Sequence, residues 1–157
     1  MSATSIKRIQ AEYRKFTTTE KKDYADISLY NESNFNQWKV IIAGPAGSPF
    51  EGGKFEAKIT IPPEYPHKAP EFKLITKIYS PAVSEEGSIC IPILQNDNKP
   101  ENWVPTRKVM EVIDAFRNLI ADLTSDHVSN AEIAAVLAAD KDKFIATAKE
   151  WTKKYAK

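Results

Sequence analysis

The fold of this chain is decided by residues 38–61, which read WKVIIAGPAGSPFEGGKFEAKITI. Apolar side chains recur there at every second position, first at Trp38, Val40 and Ile42 and then at Phe55, Ala57, Ile59 and Ile61. This period of two indicates two strands. The glycines and prolines of residues 44–53 indicate a hairpin connection between the two strands. The segment therefore predicts the beginning of an antiparallel meander.

Regular apolar patterns on both sides of residues 38–61 predict further strands and a helix. Two further strands are indicated by period-two positions at Ala25, Ile27 and Leu29, and at Phe72 and Leu74 after the proline-rich residues 62–70. A helical period runs from Thr4 through Ile6, Ile9, Tyr13 and Phe16. The first half of the chain is therefore expected to be one amphipathic helix followed by four strands.

Three helices are predicted in the last third of the chain. The first follows Thr106, a candidate N-cap, and the others begin near Asn130 and Asp140. Strands grouped apart from helices indicate the α+β class, since a parallel α/β sheet would alternate them. No linker or repeat divides residues 1–157, so we expect a single domain.

Charge and hydropathy limit the kinds of partner. The 22 basic and 21 acidic residues give a net charge of +1, so no overall field favours nucleic acid or an acidic membrane. Residues 1–8 lack the apolar core of a secretory signal, and no run approaches the ~20 apolar residues of a membrane span. We expect a monomer in a reducing compartment, the cytoplasm or the nucleus.

Residues 75–106 form a long segment that fits neither a helical nor a strand period and is interrupted by Pro81, Gly87, Pro92, Pro100 and Pro105. Connections of this length are usually functional or disordered, and the isoleucines around Cys90 favour order. Cys90 is the only cysteine, so it has no disulfide partner within the chain. Its residue type alone allows either an inert core side chain or a reactive nucleophile.

Four motifs carry a family resemblance. They are Tyr65-Pro66-His67-Lys68-Ala69-Pro70, Lys77-Ile78-Tyr79-Ser80-Pro81-Ala82-Val83, Gly87-Ser88-Ile89-Cys90-Ile91-Pro92-Ile93-Leu94 and Glu101-Asn102-Trp103-Val104-Pro105-Thr106. In this order and spacing, from about Ile6 to Tyr155, the chain resembles the ubiquitin-conjugating enzyme family. The resemblance implies the UBC fold, with a long ordered active-site loop between the meander and the C-terminal helices.

The resemblance also implies a chemistry. Cys90 would accept the carboxyl terminus of ubiquitin as a thioester from an activating enzyme, because a thiolate is both a competent acceptor and a competent leaving group. ATP would be consumed by the activating enzyme. We expect no metal and no organic cofactor, since the sequence has neither a zinc-ligand spacing nor a phosphate-binding loop.

The chain departs from the family pattern ahead of the cysteine. The family usually has His-Pro-Asn there, and this chain has Ser80-Pro81-Ala82. In the family, the Asn is thought to steady the loop and the oxyanion that forms when a lysine amine attacks. Either another amide substitutes, with Asn96, Asn98 and Asn102 as candidates, or transfer to lysine is weak.

A second departure concerns groups that help an attacking amine. Family members that transfer to lysine commonly have acidic residues at the positions of Pro92 and His127. This pairing resembles the subgroup that serves HECT and RING-between-RING ligases and transfers to a ligase cysteine. The Glu-Asn-Trp-x-Pro motif of residues 101–105 and the ending Trp151-Thr152-Lys153-Lys154-Tyr155 point the same way. By residue type alone, His127 is a loop or capping histidine.

Partner-binding positions follow from the resemblance. The family holds the activating enzyme and ligases with its first helix and two loops, which here correspond to Lys7, Arg8, Gln10, His67, Val104, Pro105 and Thr106. Without the resemblance, the basic helix face would be only a solvated surface. The polar residues 96–100 form an insertion that either gates the thiol or is a tolerated surface loop.

Two alternatives remain beside transthiolation. One is a UBC-fold module that binds ubiquitin or a ligase without forming a thioester, which the missing Asn favours and Cys90 with its complete flanking motif opposes. The other is an enzyme for a different modifier, such as SUMO or NEDD8, because the choice of donor depends on surface residues.

Overall fold

The computed structural model describes residues 2–96, 99–124 and 126–157. Its helices are α1 (Ala3–Thr17), α2 (Val109–Ala121), α3 (Ala131–Ala139) and α4 (Lys141–Tyr155), and its strands are β1 (Ala25–Leu29), β2 (Gln37–Ala43), β3 (Lys54–Thr60) and β4 (Glu71–Leu74). A 3₁₀ turn, Pro92–Leu94, lies in the long segment between β4 and α2. The predicted α+β architecture, with strands grouped before the last three helices, is confirmed.

The four strands form one antiparallel sheet in the order β1-β2-β3-β4. The pairing aligns one row of residues across all four strands, namely Ile27, Val40, Ala57 and Leu74. All four side chains are buried. Since side chains alternate between the two faces of a strand, this row identifies the face of the sheet that is covered by the core.

Helices α1 and α2 bury aromatic side chains against this sheet. Phe116 of α2 lies on Phe72 of β4, with ring centroids 4.9 Å apart. Tyr13 of α1 meets Trp38 of β2 edge to face, with centroids 5.6 Å apart. Edge-to-face rings add to the stabilisation that comes from area burial. The sheet thus forms the rigid base from which the long segment after β4 departs.

The predicted starts of α3 and α4 are confirmed by their caps, but the predicted start of α2 is wrong. The side chains of Asn130 and Asp140 each accept a backbone N–H from the first turn of their helix. Thr106 caps nothing, because α2 begins at Val109 after Lys108. The Lys108 N–H donates to the Glu111 carboxylate at 2.7 Å, so the first turn is satisfied without a hydroxyl group.

Candidate active site

Cys90 is exposed at the surface of the long segment. Burial alternates along this part of the chain, with Ile89, Ile91 and Ile93 inward and Ser88 and Cys90 outward. The three isoleucines therefore hold the backbone to the core while the thiol faces solvent. This position excludes the interpretation of Cys90 as an inert core residue. The local period of two was visible in the sequence but was masked by the surrounding prolines.

A tight hairpin places Cys90 relative to β4. Val83 and Ile89 form an antiparallel bridge, and the carbonyl of Gly87 accepts the N–H of Leu74 at 2.8 Å. Gly87 has φ +89°, and a Cβ atom there would lie 2.0 Å from the Leu74 carbonyl oxygen. Only glycine allows both this backbone conformation and this approach. The thiol is thus only three residues from a glycine that is fixed against the sheet.

The active-site turn, residues 80–82, carries its own internal hydrogen bond. The Ser80 Oγ atom accepts the Ala82 N–H at 3.2 Å, and these residues are only 2% and 5% exposed, respectively. Ala82 has no side-chain donor, so its N–H is the only group that it could offer to an oxyanion. Because that N–H is bonded to Ser80, the turn supplies no spare donor from this residue.

The active-site turn is also bonded to the segment before α3. The Pro81 carbonyl accepts two backbone N–H groups, from Ser129 at 2.8 Å and from Asn130 at 2.9 Å. Ser80, Ala82 and His127 line one narrow cleft with a volume of about 10 Å³, close to the space that one water molecule needs. The structure therefore brings together three of the residues that the sequence nominated as neighbours of the active site.

Asp122 lines the same cleft and was missed by the sequence analysis. Its Oδ1 atom accepts from the Thr124 hydroxyl at 2.6 Å and from the Thr124 N–H at 2.9 Å. These two bonds hold the pKa of the Asp122 carboxyl below its usual value. The sequence signal was Asp122-Leu123-Thr124 directly after a helix, which is typical of an Asx turn. One carboxylate therefore lies in the cleft, with one oxygen already engaged.

The loop after the thiol is tied to residues 62–70. The Asn96 Oδ1 atom accepts the Ala69 N–H at 2.8 Å, and the Trp103 indole donates to the Pro66 carbonyl at 2.8 Å. Pro92 is half-buried and begins the 3₁₀ turn that follows Cys90. Asn98 lies outside the described residues, so its nomination as a donor stays a prediction.

Arg8 is structural as well as basic. Its guanidinium donates to the carbonyls of Pro105 and Arg107, and its Nε atom pairs with the Glu12 carboxylate at 3.1 Å. Lys7 is exposed and Gln10 is half-buried on the same helix. The basic helix face of the sequence analysis is therefore divided between solvent-exposed Lys7 and Arg8, which fastens α1 to the loop before α2.

Glu12 organises this junction from a buried position, 6% exposed. Its Oε2 atom accepts the Tyr65 hydroxyl at 2.5 Å, and its Oε1 atom accepts the Val109 N–H at 2.9 Å. Burial and the neighbouring Glu12 charge raise the pKa of Tyr65, so its hydroxyl remains a donor. The sequence analysis missed Glu12, although a carboxylate three residues after Ile9 and four before Phe16 falls on the apolar helix face.

These contacts join α1, residues 62–70 and residues 104–107 into one surface, which we call the partner surface. His67, Pro105 and Thr106 are exposed on it, and Val104 is half-buried. The structure thus groups the residues nominated for contact with the activating enzyme and ligases.

Within residues 2–96, 99–124 and 126–157, no three His, Cys, Asp or Glu side chains cluster so as to hold a metal ion. No helix in the same ranges has both the length and the apolar character needed to cross a membrane.

Comparisons with known proteins show what this chain is similar to. The family profile described as Ubiquitin-conjugating enzyme matches residues 8–152. Ubiquitin conjugating enzyme E2 B of Dictyostelium discoideum is 40% identical over 127 residues, which cover 80% of this chain and 82% of that protein. Ubiquitin-conjugating enzyme E2 ubc-18 of Caenorhabditis elegans is 36% identical over 156 residues, which cover 99% and 97%. The solved E2 domain of a Toxoplasma gondii ubiquitin conjugating enzyme matches with a TM-score of 0.84 at 30% identity, covering 97% of this chain and 99% of that one.

Proposed function

This chain belongs to the ubiquitin-conjugating enzyme family, and we propose that it carries ubiquitin on Cys90 as a thioester and delivers it to a ligase cysteine. The observation that carries the proposal is the exposed thiol on a segment whose flanking isoleucines are buried. A thiol that is exposed on an anchored segment is directly accessible to a large macromolecular donor.

Loading is an exchange between two thiols. The Cys90 thiolate attacks the carbonyl carbon of the thioester on the activating enzyme, a new carbon–sulfur bond forms, and the thiolate of that enzyme leaves. The acyl group stays at the same oxidation level, so no redox partner is needed. ATP is consumed earlier, by the activating enzyme, and no cofactor is required on this chain.

Delivery to a cysteine repeats the same exchange with a ligase thiolate as the attacking group. Both routes pass through a tetrahedral oxyanion, but transfer to lysine is harder, because a neutral amine must also lose a proton while a thiolate attacks without that assistance. Losing one hydrogen-bond donor to such an oxyanion costs on the order of 10²–10³ in rate in a protease. The Ala82 N–H is already bonded to Ser80, and Pro92 offers no carboxylate, which supports a cysteine acceptor.

The exposed residues of the partner surface support the proposal that this chain binds an activating enzyme and a ligase. Its exposed residues, including Lys7, His67, Pro105 and Thr106, would contact the activating enzyme during loading and a HECT or RING-between-RING ligase during delivery. Because Arg8, Glu12 and Tyr65 fix its three segments together, a partner would bind a preformed surface and would pay little ordering entropy.

A charging assay tests this function. Incubation with activating enzyme, ATP and ubiquitin should give an adduct that survives denaturant and is lost in thiol reductant, because a thioester exchanges with thiols. Cys90→Ala should give no adduct, and Cys90→Ser should give an ester that withstands reductant. Circular dichroism controls for folding of both variants.

The same assay separates the alternatives. A wild-type protein that charges with no modifier would favour a binding module of the same fold. Charging with SUMO or NEDD8 instead of ubiquitin would correct the identity of the donor and leave the thiol chemistry intact.

A further inference from the structure

Ser80 begins the active-site turn with its hydroxyl group buried. The residue is 2% exposed, and its Oγ atom accepts the Ala82 N–H at 3.2 Å. A serine hydroxyl that pairs with the N–H two residues further along stabilises a tight turn in the manner of an Asx turn. The shape of residues 80–82 therefore depends on this side chain.

The turn directs the Pro81 carbonyl toward the start of α3. Ser129 and Asn130 donate their N–H groups to that one oxygen, at 2.8 and 2.9 Å. Asn130 is also the N-cap of α3, where its Oδ1 atom accepts the Ile133 N–H at 3.2 Å. A rotation of the turn would strain both bonds to Pro81, which tie the turn to the segment that carries His127.

On its C-terminal side, the turn is connected to the segment that carries the Cys90 thiol. Val83 donates its N–H to the Ser80 carbonyl at 3.4 Å and forms an antiparallel bridge with Ile89. Ile89 directly precedes Cys90 in the chain. The Cys90 segment and the His127 segment are therefore connected through the backbone of one turn.

On the premise of the proposed function, we propose that Ser80 is a positioning residue for thioester transfer. Its hydroxyl fixes the turn that sets the Cys90 segment relative to the His127 segment, and it acts through Ala82, Pro81 and Val83 without touching the reacting atoms. Geometry matters at this level, because a displacement of about 1 Å can cost on the order of 10²-fold in rate.

Substitutions of Ser80 and of one matched control residue test this role. Ser80→Ala removes the hydroxyl acceptor, and Ser80→Thr keeps a hydroxyl at the same place. Ser48→Ala is the matched control, because the Ser48 Oγ atom accepts the Phe50 N–H two residues ahead at 3.2 Å, in the remote turn between β2 and β3. If Ser80→Ala does not fold, Ser80→Gly removes the same hydroxyl and leaves room for water to pair with the Ala82 N–H.

Two measurements are made on each variant. Single-turnover discharge of the ubiquitin thioester to free cysteine should slow by about 10- to 100-fold in Ser80→Ala, recover in Ser80→Thr and stay unchanged in Ser48→Ala. Hydrogen exchange at the amides of Ala82, Ser129 and Asn130 should accelerate in Ser80→Ala alone. A merely structural loss of stability would instead accelerate exchange throughout the core.

Discharge of Ser80→Ala at the wild-type rate would overturn the proposal, and so would unchanged exchange at Ser129 and Asn130. Failure of wild-type protein to charge would defeat the proposed function instead. In that case the exchange measurement still decides whether Ser80 couples the two segments.

Discussion

Ala82 is a residue at which the candidate active site departs from the family pattern. The resemblance predicts an amide side chain there, and the structure has a buried methyl group whose N–H is bonded to Ser80. The cleft beside it, with a volume of about 10 Å³, has no room for an added carboxamide. A larger side chain at this position would therefore have to displace its neighbours.

Ala82→Asn is expected to give no gain in lysine discharge and to lower the free energy of unfolding by about 1–3 kcal/mol, because overpacking strains a filled site. Single-turnover discharge to free lysine and chemical denaturation measure the two effects. Ala135→Asn, at an exposed position of α3, is the control and should cost less than about 1 kcal/mol.

Faster lysine discharge in Ala82→Asn would contradict this account of the turn. The double variant with Pro92→Asp sharpens the test. A gain in the double variant beyond the sum of the singles would mean that lysine activity was lost through a cooperating pair of groups.

At the scale of elements, the candidate active site is held by β4, the hairpin of residues 83–89 and α4. The hairpin is fixed to β4 through the bond between Leu74 and Gly87. The segment between them is held by α4, where Tyr79 contacts Phe144 and Trp151 with ring centroids 5.7 and 5.3 Å apart. The C-terminal helix is thus part of the scaffold that positions the active-site turn.

Gly87→Ala tests the hairpin. The new Cβ atom would collide with the Leu74 carbonyl, so the hairpin must move away from β4, and both stability and the rate of charging should fall. Gly52→Ala is the matched control, since Gly52 has φ +86° with nothing within 4 Å of a Cβ atom. It should cost only the backbone penalty of about 1–2 kcal/mol and should charge normally.

Denaturation midpoints and initial charging rates with activating enzyme provide the comparison between the two glycine variants. Equal losses of stability and equal charging rates would mean that the close approach to β4 does not position the thiol.

At the scale of the whole molecule, the sequence predicts elements whose pattern is local. It does not predict hydrogen bonds between residues that lie far apart in the chain. The period of two at Trp38, Val40 and Ile42 was sufficient to predict β2. By contrast, Thr106 was nominated as a helix cap, because the sequence does not show that Glu12, 97 residues before Val109, accepts the first N–H of α2. The fold class could thus be predicted from the apolar pattern and the family resemblance, and the resemblance also singled out the Cys90 thiol.

The internal bond of the active-site turn was equally hidden from the sequence. In the sequence, Ser80 and Ala82 are two departures from a family motif. In the structure, the serine hydroxyl accepts the alanine N–H. A hydrogen bond of this kind depends on backbone direction, which residue type alone does not determine. The sequence nominated Ser80 and Ala82 as neighbours of the active site, and the hydrogen bond between them could be seen only in the structure.

The central claim is that Cys90 holds ubiquitin as a thioester destined for a thiol acceptor. Its most direct test is single-turnover discharge of the charged wild-type protein into free cysteine, free lysine and buffer alone. We predict rapid loss of the thioester with cysteine and, with lysine, a loss no faster than hydrolysis in buffer, because the site offers the amine no spare donor from Ala82 and no carboxylate at Pro92. Lysine discharge as fast as cysteine discharge would contradict the claim.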